Sequence, residues 1–242
     1  MGVAAAKGWI ITGKGAVKAW VSLLFLGYVA LRVLLRLLIG KRRREWVQDV
    51  LGIHYTRGYS VKYGSLLPWY EADVRRIIKN VLSKPHSQTF IDIGAYVGWH
   101  TVTAYRILRK RKVFKIVAVE PDPNNYRQLE KDIGGFGGIW LVNEAVSVSD
   151  GEEIDFHRGT AGRVDLIKMD IEGAEYPVLT DPSLDLSRVE NMVVEVHYRY
   201  GSRESQEIIR ALAKHGFKIV SLYPDTTSRY YHLLACRGEV PW

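Results

Sequence analysis

The chain has a single cysteine, Cys236, among 242 residues. That excludes an internal disulfide and any zinc site built from several thiolates, and it suits a reducing compartment. Acidic residues are almost missing from residues 1–45, where Glu45 alone stands against Lys7, Lys14, Lys18, Arg32, Arg36, Lys41, Arg42, Arg43 and Arg44. The net charge of +8 therefore belongs to this arm, and residues 46–242 are balanced. A nucleic-acid binder needs a basic face on its folded domain, so no nucleic-acid partner is expected. Internal repeats are absent as well. So is an uncharged apolar run of full spanning length: residues 19–31 carry no charge, whereas a spanning helix takes roughly 20 apolar residues.

Continuing through Arg32 and Arg36 to Ile39 makes the apolar stretch long enough to span. Three readings stay open for residues 16–39: a single-pass anchor, an amphipathic helix lying in the interface, or a helix packed on the domain. In the first two the protein is membrane-associated through this segment. The cluster Lys41-Arg42-Arg43-Arg44 follows the apolar residues and belongs on the cytoplasmic side, which puts the folded domain in the cytoplasm. The same order argues against a cleaved signal peptide, whose basic residues precede its apolar core. The expected organisation is a basic hydrophobic arm over 1–45, a linker over 46–68 containing Gly52, Gly58 and Gly64, and one domain over 69–242.

In that domain apolar periodicity predicts a helix near 69–82, with Val74, Ile77, Ile78, Val81 and Leu82 on one face. Strands are expected near 89–94, 115–120, 139–146, 165–171, 189–197, 217–223 and 230–236. Helices are expected near 99–110, 123–132, 174–179 and 203–215. Such alternation predicts an α/β fold with a parallel sheet covered on both faces. The last two strands are joined by a short polar loop containing Pro224, Asp225 and Thr226, too short for a parallel crossover, so they should form an antiparallel hairpin.

The run Phe90-Ile91-Asp92-Ile93-Gly94-Ala95-Tyr96-Val97-Gly98 is an apolar strand ending in an acid and a glycine turn. Glycines there let the backbone approach a ligand, and the following helix N-terminus offers amides to an anionic group. The interval Ala95-Tyr96-Val97 departs from G-x-G-x-x-G, so a nicotinamide oxidoreductase fits poorly. Asp92 repels a pyrophosphate but suits the cationic end of S-adenosylmethionine. Its alternative role is a buried aspartate capping its own helix. Glu120, before Pro121, closes the next strand at the spacing of a carboxylate that accepts ribose hydroxyls. Asn143-Glu144-Ala145 ends the third strand, on the side where adenine would lie.

The most distinctive stretch is Lys168-Met169-Asp170-Ile171-Glu172-Gly173-Ala174-Glu175. With the turn over 92–98, the Val117-Ala118-Val119-Glu120-Pro121 strand end and the segment over 143–151, it makes the chain resemble the FkbM-type family of S-adenosylmethionine-dependent methyltransferases. The resemblance covers about residues 69–237. It implies a Rossmann-like class I methyltransferase fold, with a mostly parallel seven-stranded sheet and a C-terminal antiparallel hairpin.

It further implies a cofactor seat made of Asp92, Gly94, Ala95, Gly98, Glu120, Pro121, Glu144, Ala145 and Asp170. Asp170 would meet the cofactor's amino-acid part and Glu172 would face the acceptor. One departure stands out: the family's longer passage before the fourth strand is reduced here to about residues 156–163. The acceptor pocket is expected to be more open, or completed by residues 59–70 or by a partner.

Strand alternation places Lys168, Asp170 and Glu172 on one side, and Glu195 and His197 likewise on the fifth strand. Lys168 with Asp170 or Glu172 can also be read as a structural ion pair. His197 is the candidate general base, since an imidazole titrates near working pH, or simply a strand-end polar residue. Asp170, Glu172 and Glu195 carry oxygens of the kind magnesium takes, but nothing in the sequence makes them converge, and no metal is expected.

The expected function is methyl transfer to a hydroxyl of a glycan, a lipid-linked or a small-molecule acceptor at a membrane surface. The alternatives are a membrane-tethered binding protein without turnover and a nucleic-acid methyltransferase.

Overall fold

The computed structural model describes residues 71–146, 162–222 and 230–238. The expected arm over 1–45, the linker over 46–68, residues 147–161, which include most of the shortened passage over 156–163, and the hairpin loop lie outside the described residues. No helix among the described residues is long and apolar enough to cross a membrane.

In chain order the elements are α1 (Ala72–Leu82), β1 (Thr89–Ile93), α2 (Trp99–Leu108), β2 (Lys115–Val119), α3 (Pro123–Ile133), β3 (Ile139–Val142), β4 (Leu166–Met169), α4 (Glu175–Leu179), β5 (Asn191–Val196), α5 (Arg203–Lys214), β6 (Lys218–Leu222) and β7 (Tyr231–Cys236). The strands form one sheet in the order β3-β2-β1-β4-β5-β7-β6. Strands β1 to β5 pair in parallel, whereas β7 runs antiparallel to both β5 and β6. The expected mostly parallel sheet with its C-terminal hairpin is present.

Alternation along the strands sends successive side chains to opposite faces. Ile91, Ile93, Ile167, Met169, Met192 and Val194 enter a core closed by Val178 and Leu179 of α4 and Ile208 and Leu212 of α5. Their neighbours Phe90, Ile116, Leu166, Val193 and Leu234 enter a second core under α1 and α2. There Ile77, Ile78, Val81 and Leu82 of α1 form the apolar face that the periodicity predicts. Both sheet faces are thereby covered, and the near-continuous apolar strands follow from burial on both sides.

Strand order reverses between β1 and β4, which are neighbours in the sheet although two strands separate them in sequence. At such a switch point the loops leave in opposite directions and open a crevice outside the carboxyl ends of the strands. The turn after β1 and the acids after β4 both lie there.

β3, β4 and β5 are each shorter than expected by three or four residues. β3 stops at Val142 because the Asn143 side chain donates to the Glu120 and Pro121 carbonyls at 2.7 and 3.2 Å. β4 stops at Met169; beyond it the Asp170 N–H still reaches the Ile93 carbonyl at 3.0 Å, and Glu172 then turns into the left-handed region at φ 53°.

Candidate active site

The turn after β1 is stitched to its neighbours by backbone bonds. Gly94 and Ala95 both donate to the Val119 carbonyl at 2.9 Å. Gly94 has φ +74°, and a Cβ there would stand 1.7 Å from the Asp170 carbonyl oxygen. Only glycine lets β1 and β4 come this close at their ends. Gly98 is the N-cap residue of α2, so the turn delivers the chain directly to that helix N-terminus.

Beneath the turn lies a buried charge cluster. Asp92 is 0 % exposed, accepts the Thr101 hydroxyl at Oδ2 over 2.6 Å, and has Oδ1 3.7 Å from Lys168 Nζ. It is a tether under the turn rather than a cap on its own helix. Lys168 donates to the Gly94 carbonyl at 2.9 Å and stands 3.4 Å from Asp170 Oδ2. Burial alone would lower the ammonium's pKa, but Asp92 and Asp170 outweigh it and hold the pKa above the ordinary lysine value. The ion-pair reading of Lys168 thus holds toward Asp170, with Asp92 as an additional partner.

Glu120 is buried at the end of β2. Its Oε2 accepts the Tyr96 N–H at 2.7 Å and its Oε1 the Asp122 N–H at 3.0 Å. The carboxylate is therefore fixed between the two loops that follow β1 and β2. Oε1 also accepts the Asn125 side-chain amide at 3.4 Å, whereas Oε2 keeps a second lone pair with which a hydroxyl can still be accepted. Pro121, Glu144 and Ala145 are exposed next to it, after β2 and β3. β3 is three places from β4 in the sheet, about 14 Å at the spacing of paired strands. Glu144 and Ala145 are consequently reached only by the far end of an extended ligand.

The remaining predicted residues converge after β4 and β5. His197 Nε2 faces Glu172 Oε2 at 3.5 Å, Glu195 Oε1 at 3.7 Å and Asp170 Oδ1 at 3.9 Å. Its Nδ1 lies 2.9 Å from Glu175 Oε1. The hydrogen bond to Glu175 raises the His197 pKa to about 9 against an opposing effect of burial, with the charges of Glu175, Glu195 and Asp170 adding to the rise. At neutral pH the ring is thus an imidazolium, a proton donor and a counter-charge.

Some functional candidates escape the sequence. Glu175 is fully buried at the start of α4, where its Oε1 also accepts the Ile171 and Gly173 amides at 3.2 Å. Burial would raise its pKa, but the bonds from His197 and Gly173 prevail and lower it. The only sequence signal for this role is its place at the end of the acidic stretch 168–175. His232 on β7 bridges Asp73 of α1 at 2.6 Å and Glu195 at 3.2 Å. It arrives there because β7 pairs antiparallel with β5 and sets Glu195 opposite His232.

No curated protein matches the chain. Among solved structures it resembles a Methanococcus jannaschii fibrillarin pre-rRNA processing protein, with 16 % identity and TM-score 0.45 over 62 % of this chain and 66 % of that one. It also resembles a Geobacter metallireducens precorrin-6y C5,15-methyltransferase, with 16 % identity and TM-score 0.46 over 68 % and 87 % of the two chains. A third is an Aeropyrum pernix fibrillarin in complex with natively bound S-adenosyl-L-methionine, with 16 % identity and TM-score 0.47 over 68 % and 73 %. Likeness at this level says nothing of the acceptor or of any residue's role. Residues 142–219, which hold β4, β5 and their converging acids, match the model of the methyltransferase FkbM domain. The match is to that segment alone and leaves β1, β2 and the turn after β1 outside it.

Proposed function

We propose that the protein transfers the methyl group of S-adenosylmethionine to an oxygen nucleophile, a hydroxyl on a glycan, a lipid-linked or a small-molecule acceptor, at the cytoplasmic surface of a membrane. The observation that carries the reading is the convergence of Asp170, Glu172 and His197 at the carboxyl ends of β4 and β5, next to the Gly94 turn. Methyl transfer from a sulfonium needs little beyond alignment, exclusion of water and an exit for the acceptor's proton. Asp170 and Glu172 supply that exit. With its proton in place His197 orients them and offsets their charge, so the general-base role passes from the imidazole to a carboxylate.

On the donor side, Glu120 meets the ribose and the Gly94-Ala95-Tyr96 backbone lies along the cofactor. Asp92 supports the seat from below through Lys168 and Thr101. The membrane part of the reading rests on the arm's composition, nine basic residues beside an apolar stretch with Glu45 as the only acid. The balanced charge of residues 46–242 favours a non-nucleic acceptor.

Full-length protein incubated with methyl-labelled S-adenosylmethionine and with separated lipid, glycan, small-molecule and RNA fractions tests this directly. Label in an alkali-stable ether of the lipid, glycan or small-molecule fraction is the expected result. Label in RNA alone sinks the acceptor assignment, and cofactor binding without label anywhere favours a binding protein.

A further inference from the structure

Glu175 keeps His197 protonated through one carboxylate oxygen, which leaves the other oxygen without a role in methyl transfer. Its Oε2 is buried and has no hydrogen-bond partner, although Oε1 is held by two amides and faces His197 Nδ1. Across the ring, Asp170 Oδ1 is also buried without a hydrogen-bond partner. Asp170, Glu175 and His197 each offer one ligand atom, and the three atoms lie within 4.8 Å of one another. Orphaned anionic oxygens in a buried setting are costly, and such groups are normally satisfied by a partner or an ion.

The spacing suits an ion. Two neighbouring ligands about 2.1 Å from an octahedral cation stand about 3 Å apart; Glu175 Oε1 and His197 Nδ1 are 2.9 Å apart across a shared proton, which a cation would displace and release on binding. One imidazole nitrogen among carboxylates is a donor set for manganese, ferrous iron, cobalt or zinc more than for magnesium or calcium. The scaffold is rigid where it must be: Glu175 opens α4 with its carboxylate pinned by the Ile171 and Gly173 amides, and Asp170 is tied to β1 through its own N–H.

We propose that Asp170, Glu175 and His197 form a binding site for one divalent transition-metal cation at the carboxyl ends of β4 and β5. Its use in turnover rests on the methyl-transfer reading, but its existence does not. An acceptor hydroxyl occupying an open position on the cation becomes more acidic. Its proton leaves to Glu172, which is 87 % exposed at the rim. The oxygen's electron pair then forms the bond to the methyl carbon, while the carbon–sulfur pair returns to sulfur and S-adenosylhomocysteine departs. Acceptors with two adjacent oxygens, such as a vicinal diol or a catechol, gain most from such a site because both can reach the cation.

Full-length protein in detergent is titrated with Mn2+, free ion being followed by electron paramagnetic resonance, and S-adenosylmethionine affinity is measured calorimetrically on the same preparation. The expected result is one Mn2+ per chain, with affinity lowered at least about tenfold in Glu175→Gln and in His197→Gln. His197 lies near the surface, so its variant keeps the test decisive if Glu175→Gln fails to fold. Co2+ and Zn2+ are titrated in parallel. Wild-type protein that binds S-adenosylmethionine but none of the three cations overturns the site. Equal cation affinity in wild type and His197→Gln overturns it too, as binding elsewhere. Cation binding without S-adenosylmethionine binding leaves the site standing and removes the methyl-transfer reading.

Discussion

Two residues make the cost of geometry measurable. At Gly94 a Cβ meets the Asp170 carbonyl at 1.7 Å with φ +74°, whereas at Gly173, φ +102°, a Cβ meets nothing within 4 Å. Gly173→Ala therefore bears only backbone strain, about 1–2 kcal/mol. Gly94→Ala adds the displacement of β4 from β1 to the same strain. We predict a larger fall in melting temperature for Gly94→Ala than for Gly173→Ala, and a loss of S-adenosylmethionine affinity in the former; equal effects by calorimetry would refute the close-approach argument.

His232 gives a second test at the same scale. Burial lowers its pKa, but Asp73 and Glu195 raise it from 6.5 to about 10. A raised folded-state pKa stabilises fully below the unfolded value of 6.5 and stops doing so as pH climbs through about 10. His232→Gln leaves Asp73 and Glu195 facing each other without that proton, at a cost of about 3 kcal/mol. Urea midpoints from pH 6 to pH 10.5 should show wild type and variant far apart at the acid end and converging at the alkaline end. Parallel curves would place the effect in packing instead of charge.

Secondary structure was legible wherever one period dominated. The α1 face of Val74, Ile77, Ile78, Val81 and Leu82 is buried as its spacing demands, each at 2 % exposure or less. Ile78, at 0 % exposure against the sheet, gives the element its test: Ile78→Ala should cost about 2–5 kcal/mol in chemical denaturation. A loss under about 1 kcal/mol would mean that α1 is not anchored on the sheet. Strand ends were less legible, because they are decided by partners far along the chain. Asn143 reads as strand until its side chain is seen capping the Glu120 and Pro121 carbonyls. The same limit applies to the site. Asp170, Glu172 and His197 sit at strand ends in sequence and do meet. The partners of Asp92 and Glu195 depended on Thr101 and His232, which the sequence joins to them only through helix docking and β5–β7 register.

At the scale of the whole molecule, charge is segregated. The arm over 1–45 carries the full excess of +8, and the rest of the chain is balanced. A basic segment near an anionic leaflet gains about 1 kcal/mol per lysine or arginine, an attraction that fades within a Debye length and weakens with salt. Lys41-Arg42-Arg43-Arg44 directly follows apolar residues that can enter the bilayer. A spanning anchor and an interfacial helix then differ in one observable. Full-length protein should float with vesicles containing anionic lipid at low salt, and a chain lacking residues 1–45 should not. If the arm only lies in the interface, 1 M salt or alkaline carbonate should release most of the protein; if it spans, both washes should leave it in place. Equal flotation of the full-length and shortened chains would show that the arm is not the membrane contact. The acceptor would then have to be sought among soluble molecules, with the site at β4 and β5 unchanged.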